Sequence, residues 1–315
     1  MIDLKTIDGT LWLAEPTKLQ LLAAKVLSFK ACPSARQIVK ARQRELSEAK
    51  QSAARAIRGV KGKVGVVGIH GPVDQRMSSE LMKAGGTSIE AASLSFDILL
   101  ADSQVEAIVL HVDSPGGSSY GIEEFADRIY AARGRKPIYA IADSMACSAA
   151  FWLASAAETF CCTPGGDVGS VGVYMAHVDQ SAAMKAEGVK VTFIHAAKYK
   201  VEGNPAEPLS DEAKTHWQEM VNETYGKFLG ALKRNRGQSI EKVRSDYGQG
   251  RVVSAANALA SGMIDRVMSF DSLIEKLTGQ QSGSMSAGRG ASAGQVLKLR
   301  HEQRKREAAL MCGVK

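Results

Sequence analysis

Three short apolar runs, Lys63-Val-Gly-Val-Val-Gly-Ile69, Ala107-Ile-Val-Leu-His-Val112 and Pro137-Ile-Tyr-Ala-Ile-Ala142, alternate with segments of helical spacing, and this alternation most narrows what the chain can become. Runs of this length bounded by turn residues read as buried strands. Between them, Ile89, Ala92, Phe96, Leu99 and Leu100 share one helix face, and Ile122, Phe125, Ala126, Ile129 and Tyr130 share another. Strands alternating with helices imply an α/β core. With 315 residues, 45% hydrophobic and 6% aromatic, the chain can bury a sizeable core, and one main domain with extensions is the natural division.

Two of these strands end in loops of small residues. The second leads into Asp113-Ser-Pro-Gly-Gly117, where the glycines leave backbone N–H groups open to a ligand; an ordinary strand-to-helix turn would use Gly-Gly equally well. The third leads into Met145-Ala-Cys-Ser-Ala-Ala-Phe-Trp-Leu-Ala-Ser-Ala-Ala157, which sets Ser148 at the mouth of an apolar helix. Backbone N–H groups and the positive end of the helix dipole can stabilise an oxyanion there. A small-residue packing helix is the competing reading. A serine hydroxyl needs a base to attack at neutral pH, either histidine or a lysine kept neutral by burial. Candidate lysines lie in Ala196-Ala-Lys-Tyr-Lys-Val-Glu-Gly203, after the alternating run Val189-Lys-Val-Thr-Phe-Ile194, which predicts a strand with one buried face. Most lysines are solvated, and spacing does not choose between Lys198 and Lys200.

Taken together, Asp113-Ser-Pro-Gly-Gly117, the Ser148 segment, Gly166-Asp-Val-Gly-Ser-Val-Gly-Val173 and the Lys200 segment resemble, in order and spacing, the signal peptide peptidase A family of serine peptidases. The resemblance covers about residues 61 to 270 and implies a ClpP/crotonase-like spiral of β-β-α units. It implies a Ser148–Lys200 dyad, with Lys200 preferred to Lys198, and Ser170 helping to hold the lysine. In that mechanism neutral Lys200 takes the proton of Ser148 as the hydroxyl attacks a peptide carbonyl; the ammonium then protonates the leaving amine, and water hydrolyses the acyl-enzyme. Gly116, Gly117 and Ala149 are the expected oxyanion donors, each worth on the order of 3 kcal/mol in the transition state. The lysine would have to titrate near neutrality instead of near 10, which desolvation can supply. Ala149-Ala150 stands where the signal-peptidase branch commonly has Gly-Gly. With His177-Val-Asp-Gln-Ser181 and Asn204-Pro205, it looks more like the phage prohead protease branch, which processes capsid components. The resemblance thus implies scaffold, capsid or portal proteins as substrates, self-cleavage, and a homo-oligomeric ring in which serine and lysine can come from adjacent subunits. It implies no cofactor and no metal.

Charge is unevenly spread over the net +7. From Arg36 to Lys63 nine Lys/Arg face only Glu45 and Glu48, and from Gln281 to Lys315 seven face only Glu302 and Glu307, so the remainder is net −5. Basic flanks can meet nucleic acid or acidic proteins, but no aromatic interleaving or motif supports nucleic-acid binding. The five cysteines, Cys32, Cys147, Cys161, Cys162 and Cys312, lack metal spacing and fit a reducing compartment. The start carries Asp3 and Asp8, and no apolar run approaches about twenty residues. A protein without membrane attachment, in the host cytoplasm or a phage prohead, is expected.

The expected organisation is an N-terminal helical arm over 1–60, extended through Trp12 and helical from about Pro16; a peptidase domain over 61–278; and a Gly/Ser-rich linker with a basic tail over 279–315. Within the domain, a helix from about Ser210 to Arg234 and a last helix stopped by Gly262 are predicted. Rival readings are a Ser-His-Asp enzyme using His177 and Asp179, a crotonase-type acyl-CoA enzyme, a bacterial cytoplasmic peptidase of the same family, and a non-catalytic capsid assembly protein. Ala149, Ala150 and the glycines predict a small pocket that favours short side chains at the cleavage position.

Overall fold

The computed structural model describes residues 12–14, 47 and 63–279. The described residues up to Thr278 fall in one compact unit. The helical arm and the linker with its basic tail fall almost wholly outside the described residues. Of the arm, Ser47 and the strand β1 (Trp12–Ala14) are described.

Two units of the same basic order open the core, the first with an added helix over Ser79–Lys83. Each places a strand in a large sheet, then a short strand in a small sheet, then a helix. The first is β2 (Val64–His70), β3 (Val73–Asp74) and, after β4 (Thr87–Ser88), helix α1 (Ile89–Ala101). The second is β5 (Ala107–Ser114), β6 (Gly116–Ser118) and α2 (Ile122–Ala131). A third large-sheet strand, β7 (Ile138–Cys147), runs directly into α3 (Ala149–Ser155), and β8 (Thr159–Cys162) and β9 (Asp167–Gly169) follow. This is the β-β-α spiral anticipated from the sequence. Helices α4 (Asp211–Arg236) and α5 (Ile240–Asp246), strand β10 (Val252–Ser254), helix α6 (Ala255–Ser261), β11 (Arg266–Val267) and α7 (Phe270–Thr278) complete the unit.

The large sheet has the order β10-β9-β7-β5-β2, with β8 also on β7 and β11 on β8; the small sheet has the order β1-β6-β3-β4. Strands β2, β5, β7 and β8 pair in parallel. Continuous apolar runs suit such strands because both sheet faces are covered. On one face Phe96, Phe125, Ile129, Trp152 and Phe228 form the main core, and on the other Val64, Val109, Ile141 and Cys161 pack against Leu273 of α7. The Ser88 and Ser210 hydroxyls cap α1 and α4, and α6 stops at Gly262, whose φ of 79° is the left-handed conformation that glycine adopts freely.

One expectation fails. Val189–Ile194 forms no strand and has no buried face: every residue from 187 to 200 is exposed, Ile194 at 98%. An alternating sequence becomes a strand only where a partner edge satisfies its backbone, and the described residues supply none there.

Helix α3 is buried at every residue, with Trp152 stacked on Phe228 at 4.7 Å. The carbonyls of Trp152, Leu153 and Ala154 accept from the Ser155 hydroxyl and the Ala156 and Ala157 N–H groups, and the carbonyls that follow are met by Arg133. That guanidinium donates to the carbonyls of Ser155, Ala156, Ala157 and Asn235 at 2.8–3.2 Å. The positive charge also sits at the negative end of the helix dipole. Arg133→Met should therefore lower unfolding stability by about 3 kcal/mol, read as a fall in the urea midpoint at unchanged slope.

Candidate active site

A bulge in β7 places Ser148. Val112 pairs with Ala142 and Ser114 with Ala146, so β7 carries extra residues between the two contacts, and Ser144 there has φ of 88°. Before the bulge β7 pairs with β8; after it, Met145–Cys147 pairs with β9, Cys147 opposite Gly169. The strand ends where the Ser148 N–H donates to the Gly169 carbonyl at 2.7 Å. The chain then turns sharply into α3, with Ser148 at φ 55°, ψ −120° and 1% exposed. Its side chain makes no capping bond, so the hydroxyl is not committed to its own helix. Ala149 occupies the first turn, where helix geometry provides no carbonyl for the N–H.

Ser170 follows Gly169 directly, so the pairing that seats Ser148 also brings Ser170 beside it. Ser170 also has positive φ, 52°, and its N–H donates to the Arg251 carbonyl at 2.8 Å. Two adjacent strand ends thus hold two serines in backbone conformations that side chains rarely adopt, the kind of strain that clusters at functional sites. From Ser170 the chain enters Val171-Gly172-Val173, one wall of a cleft of about 760 Å³ whose other walls include Asn222 and Tyr225 of α4 and Arg244 of α5.

The Gly-Gly loop is more constrained than its sequence suggested. Ser114 Oγ donates to the Gly71 carbonyl at 2.6 Å and accepts from the Gly116 N–H at 3.1 Å. The Gly116 N–H is therefore engaged, and the expectation that it serves an oxyanion is corrected: what Gly116 contributes is its φ of 95°, which shapes the turn. Ala149 remains a candidate donor; Gly117 lies in register with both Val73 and Leu13, so its N–H can serve an oxyanion only if it is released from that pairing. Gly117 has its own steric requirement, since a Cβ there would lie 1.9 Å from the Val73 carbonyl oxygen. Ser114 was missed in the sequence because a serine beside Pro-Gly-Gly reads as a turn residue; its role depends on Gly71, far away along the chain.

The two candidate lysines are separated by their surroundings. Lys198 Nζ donates to Glu212 at 2.8 Å and to the Tyr199 hydroxyl at 3.1 Å, and these bonds raise its pKa, which disqualifies it as a neutral base. Lys200 lies on an exposed turn, its N–H donating to the Ala197 carbonyl at 3.3 Å. A buried Ser148 and an exposed Lys200 do not form, within one chain, the desolvated pair anticipated from the sequence. The histidine rival fares worse. His177 Nε2 bonds to the Asn204 carbonyl at 3.0 Å and Asp179 caps Ser181, so no Ser-His-Asp chain exists among these residues. Burial pushes the Cys161 thiol up to about 11 and the Cys162 thiol up to about 12, leaving both protonated and unreactive.

A buried serine with positive φ, at a strand-to-helix junction of a parallel α/β core, is placed where a nucleophile could be presented. Residues 120–282, just over half of the chain, match peptidase family S49, and the chain belongs to that family. The head-tail preconnector protein GP5 of Enterobacteria phage P21 is 29% identical over 220 residues, 70% of this chain and 44% of that protein. Capsid assembly protease C of Escherichia phage lambda is 34% identical over 168 residues, 53% of this chain and 38% of that protein. Protease 4 of Haemophilus influenzae is 24% identical over 177 residues, 56% of this chain and 28% of that protein. The chain therefore spans less than half the length of these relatives. No described helix is long and apolar enough to cross a membrane.

The strained backbone at Ser148 makes a prediction about stability alone. Glycine adopts positive φ without the Cβ penalty, so Ser148→Gly should be about 1 kcal/mol more stable than Ser148→Ala by urea unfolding. Equal stability would mean that the junction is not strained.

Proposed function

We propose that this chain is a serine endopeptidase acting in capsid maturation, with Ser148 as nucleophile, Lys200 as general base, Ser170 as the residue that orients the lysine, and Gly117 and Ala149 as oxyanion donors. The observation that carries the reading is the seating of Ser148: buried, positive in φ and uncommitted to its helix, inside a stretch that matches a peptidase family. The substrates are scaffold, capsid or portal proteins, in keeping with the names of the two phage relatives, and the place of action is the host cytoplasm or the prohead. A bacterial peptidase role, as the name Protease 4 suggests for that relative, is the second reading.

The base is desolvated by a second copy of this chain. Val189, Val191 and Phe193 alternate along a segment that joins no strand among the described residues and keep 37–50% exposure, which suits a strand completed on a neighbour. That neighbour would cover the lysine loop, exclude water from it, and deliver the Lys200 Nζ to a serine. A homo-oligomer, of which a closed ring is one form, follows from such head-to-tail pairing.

Cleavage of an unstructured protein, followed by mass spectrometry at matched oligomeric state, tests the reading. Wild type and Lys198→Ala should cleave; Ser148→Ala and Lys200→Ala should lose at least about 10³-fold in rate. Mixing the two inactive variants should restore activity if serine and lysine meet across an interface. Cleavage by Lys200→Ala at the wild-type rate would sink the dyad.

A further inference from the structure

The small sheet has an edge beside the nucleophile helix, and the chain's own N-terminal region occupies it. Strand β6 has two edges. One pairs with β3, Gly117 opposite Val73; the other pairs antiparallel with β1, Trp12 opposite Ser118, Leu13 opposite Gly117 and Ala14 opposite Gly116. Strand β6 also packs against α3, the helix that Ser148 begins.

Direction matters here. Two residues before Gly116 lies Ser114, in register with Ala146, which is itself two residues before Ser148. The Gly116 end of β6 is therefore the end nearer the nucleophile. Because β1 is antiparallel, it runs from Ser118 toward Gly116 and delivers Ala14, then the next peptide bond, toward that end. An acyl donor has to approach in this way: its amino-side residues lie along an edge strand, held by backbone hydrogen bonds, and its carbonyl is carried to the serine. Backbone pairing of this kind recognises any extended chain, and Ala14 opposite Gly116 supplies the short side chain that the small-residue surroundings favour.

We propose that Trp12–Ala14 is a built-in occupant of the peptide-binding edge, a substrate-like strand that holds the place of a protein substrate's acyl-side residues until a substrate displaces it. The proposal rests on the reading of Ser148 as nucleophile. A tethered strand competes at a high effective concentration, and it weakens apparent substrate affinity by the fraction of time the edge is free. Entry of an extended substrate segment and release of β1 are then one exchange of hydrogen bonds, in which the edge is never left unpaired.

The test uses the full chain carrying Ser148→Ala, so that binding is read without turnover, with Leu13→Pro or Ala14→Pro added. In an antiparallel pair alternate residues exchange both backbone bonds, so the two prolines between them cover both possible registers. The probe is a fluorescently labelled peptide of sequence Trp-Leu-Ala-Glu-Pro-Thr. If β1 holds the edge nine-tenths of the time, one proline variant should bind the peptide about tenfold more tightly than its parent. Amide exchange at Gly116–Ser118 should also rise in that variant and fall again when peptide is added. A chain with Trp12→Gly, Leu13→Ser and Ala14→Gly, which loosens the strand without proline, should behave alike and keeps the test open if proline disturbs folding. Equal peptide affinity and unchanged exchange in all of these chains would overturn the proposal. Tighter peptide binding in them, alongside a Ser148→Ala chain that still cleaves protein at the wild-type rate, would overturn the nucleophile reading while leaving the occupied edge intact.

Discussion

The bond from the Ser148 N–H to the Gly169 carbonyl, at 2.7 Å, and the register behind it organise the site. Without the bulge between Ala142 and Ala146, β7 would stay beside β8 along its length. The extra residues let its end change neighbour and lie on β9 instead. Once Cys147 is opposite Gly169, three consequences follow from geometry. Ser148 is the last residue before the helix and must turn with positive φ. Its helix is driven into the core, where the Arg133 guanidinium becomes the partner of carbonyls that water cannot reach. Ser170, next after Gly169, is brought to the same place. Loss of that register would displace both serines together.

Most of the scaffold was legible because its signals are local. The apolar runs over 63–69, 107–112 and 137–142 became β2, β5 and β7, and the spacing of Ile89 to Leu100 became α1. The stop at Gly262 needed only the left-handed preference of glycine. What was not legible depends on partners distant in sequence. The pairing of β1 with β6 joins residues about a hundred positions apart. The Gly116 N–H looked open because the hydroxyl that accepts it, on Ser114, is held in place by Gly71. Val189–Ile194 was misread for the same physical reason: alternation describes a surface able to pair, and only the fold decides whether an edge is there to meet it.

That misreading bears on the chemistry. A lysine acts as a base only if something removes water from it, and in an isolated chain nothing does so for Lys200, whereas Lys198 is kept protonated by Glu212 and Tyr199. The exposed lysine and the exposed apolar segment occupy the same stretch of chain. A single event, a second copy covering residues 189–200, would satisfy both deficits. On the proposed reading it would also make activity conditional on assembly, because Lys200 is exposed in a single chain.

The two edges near the site are managed differently, and the backbone hydrogen-bond requirement explains why. The edge of β6 lies against the helix that Ser148 begins, where unpaired strand backbone would accept an extended chain, and β1 covers it. The segment over 189–194 stands away from the core and is left open. An edge meant for a transient peptide has to be occupied by something that leaves; an edge meant for a permanent neighbour does not. Covering the first edge with a strand as short as Trp12–Ala14 keeps the exchange reversible, since three residues of pairing satisfy the backbone of β6 yet can be exceeded by a longer substrate segment that reaches on past Ala14 toward Ser148.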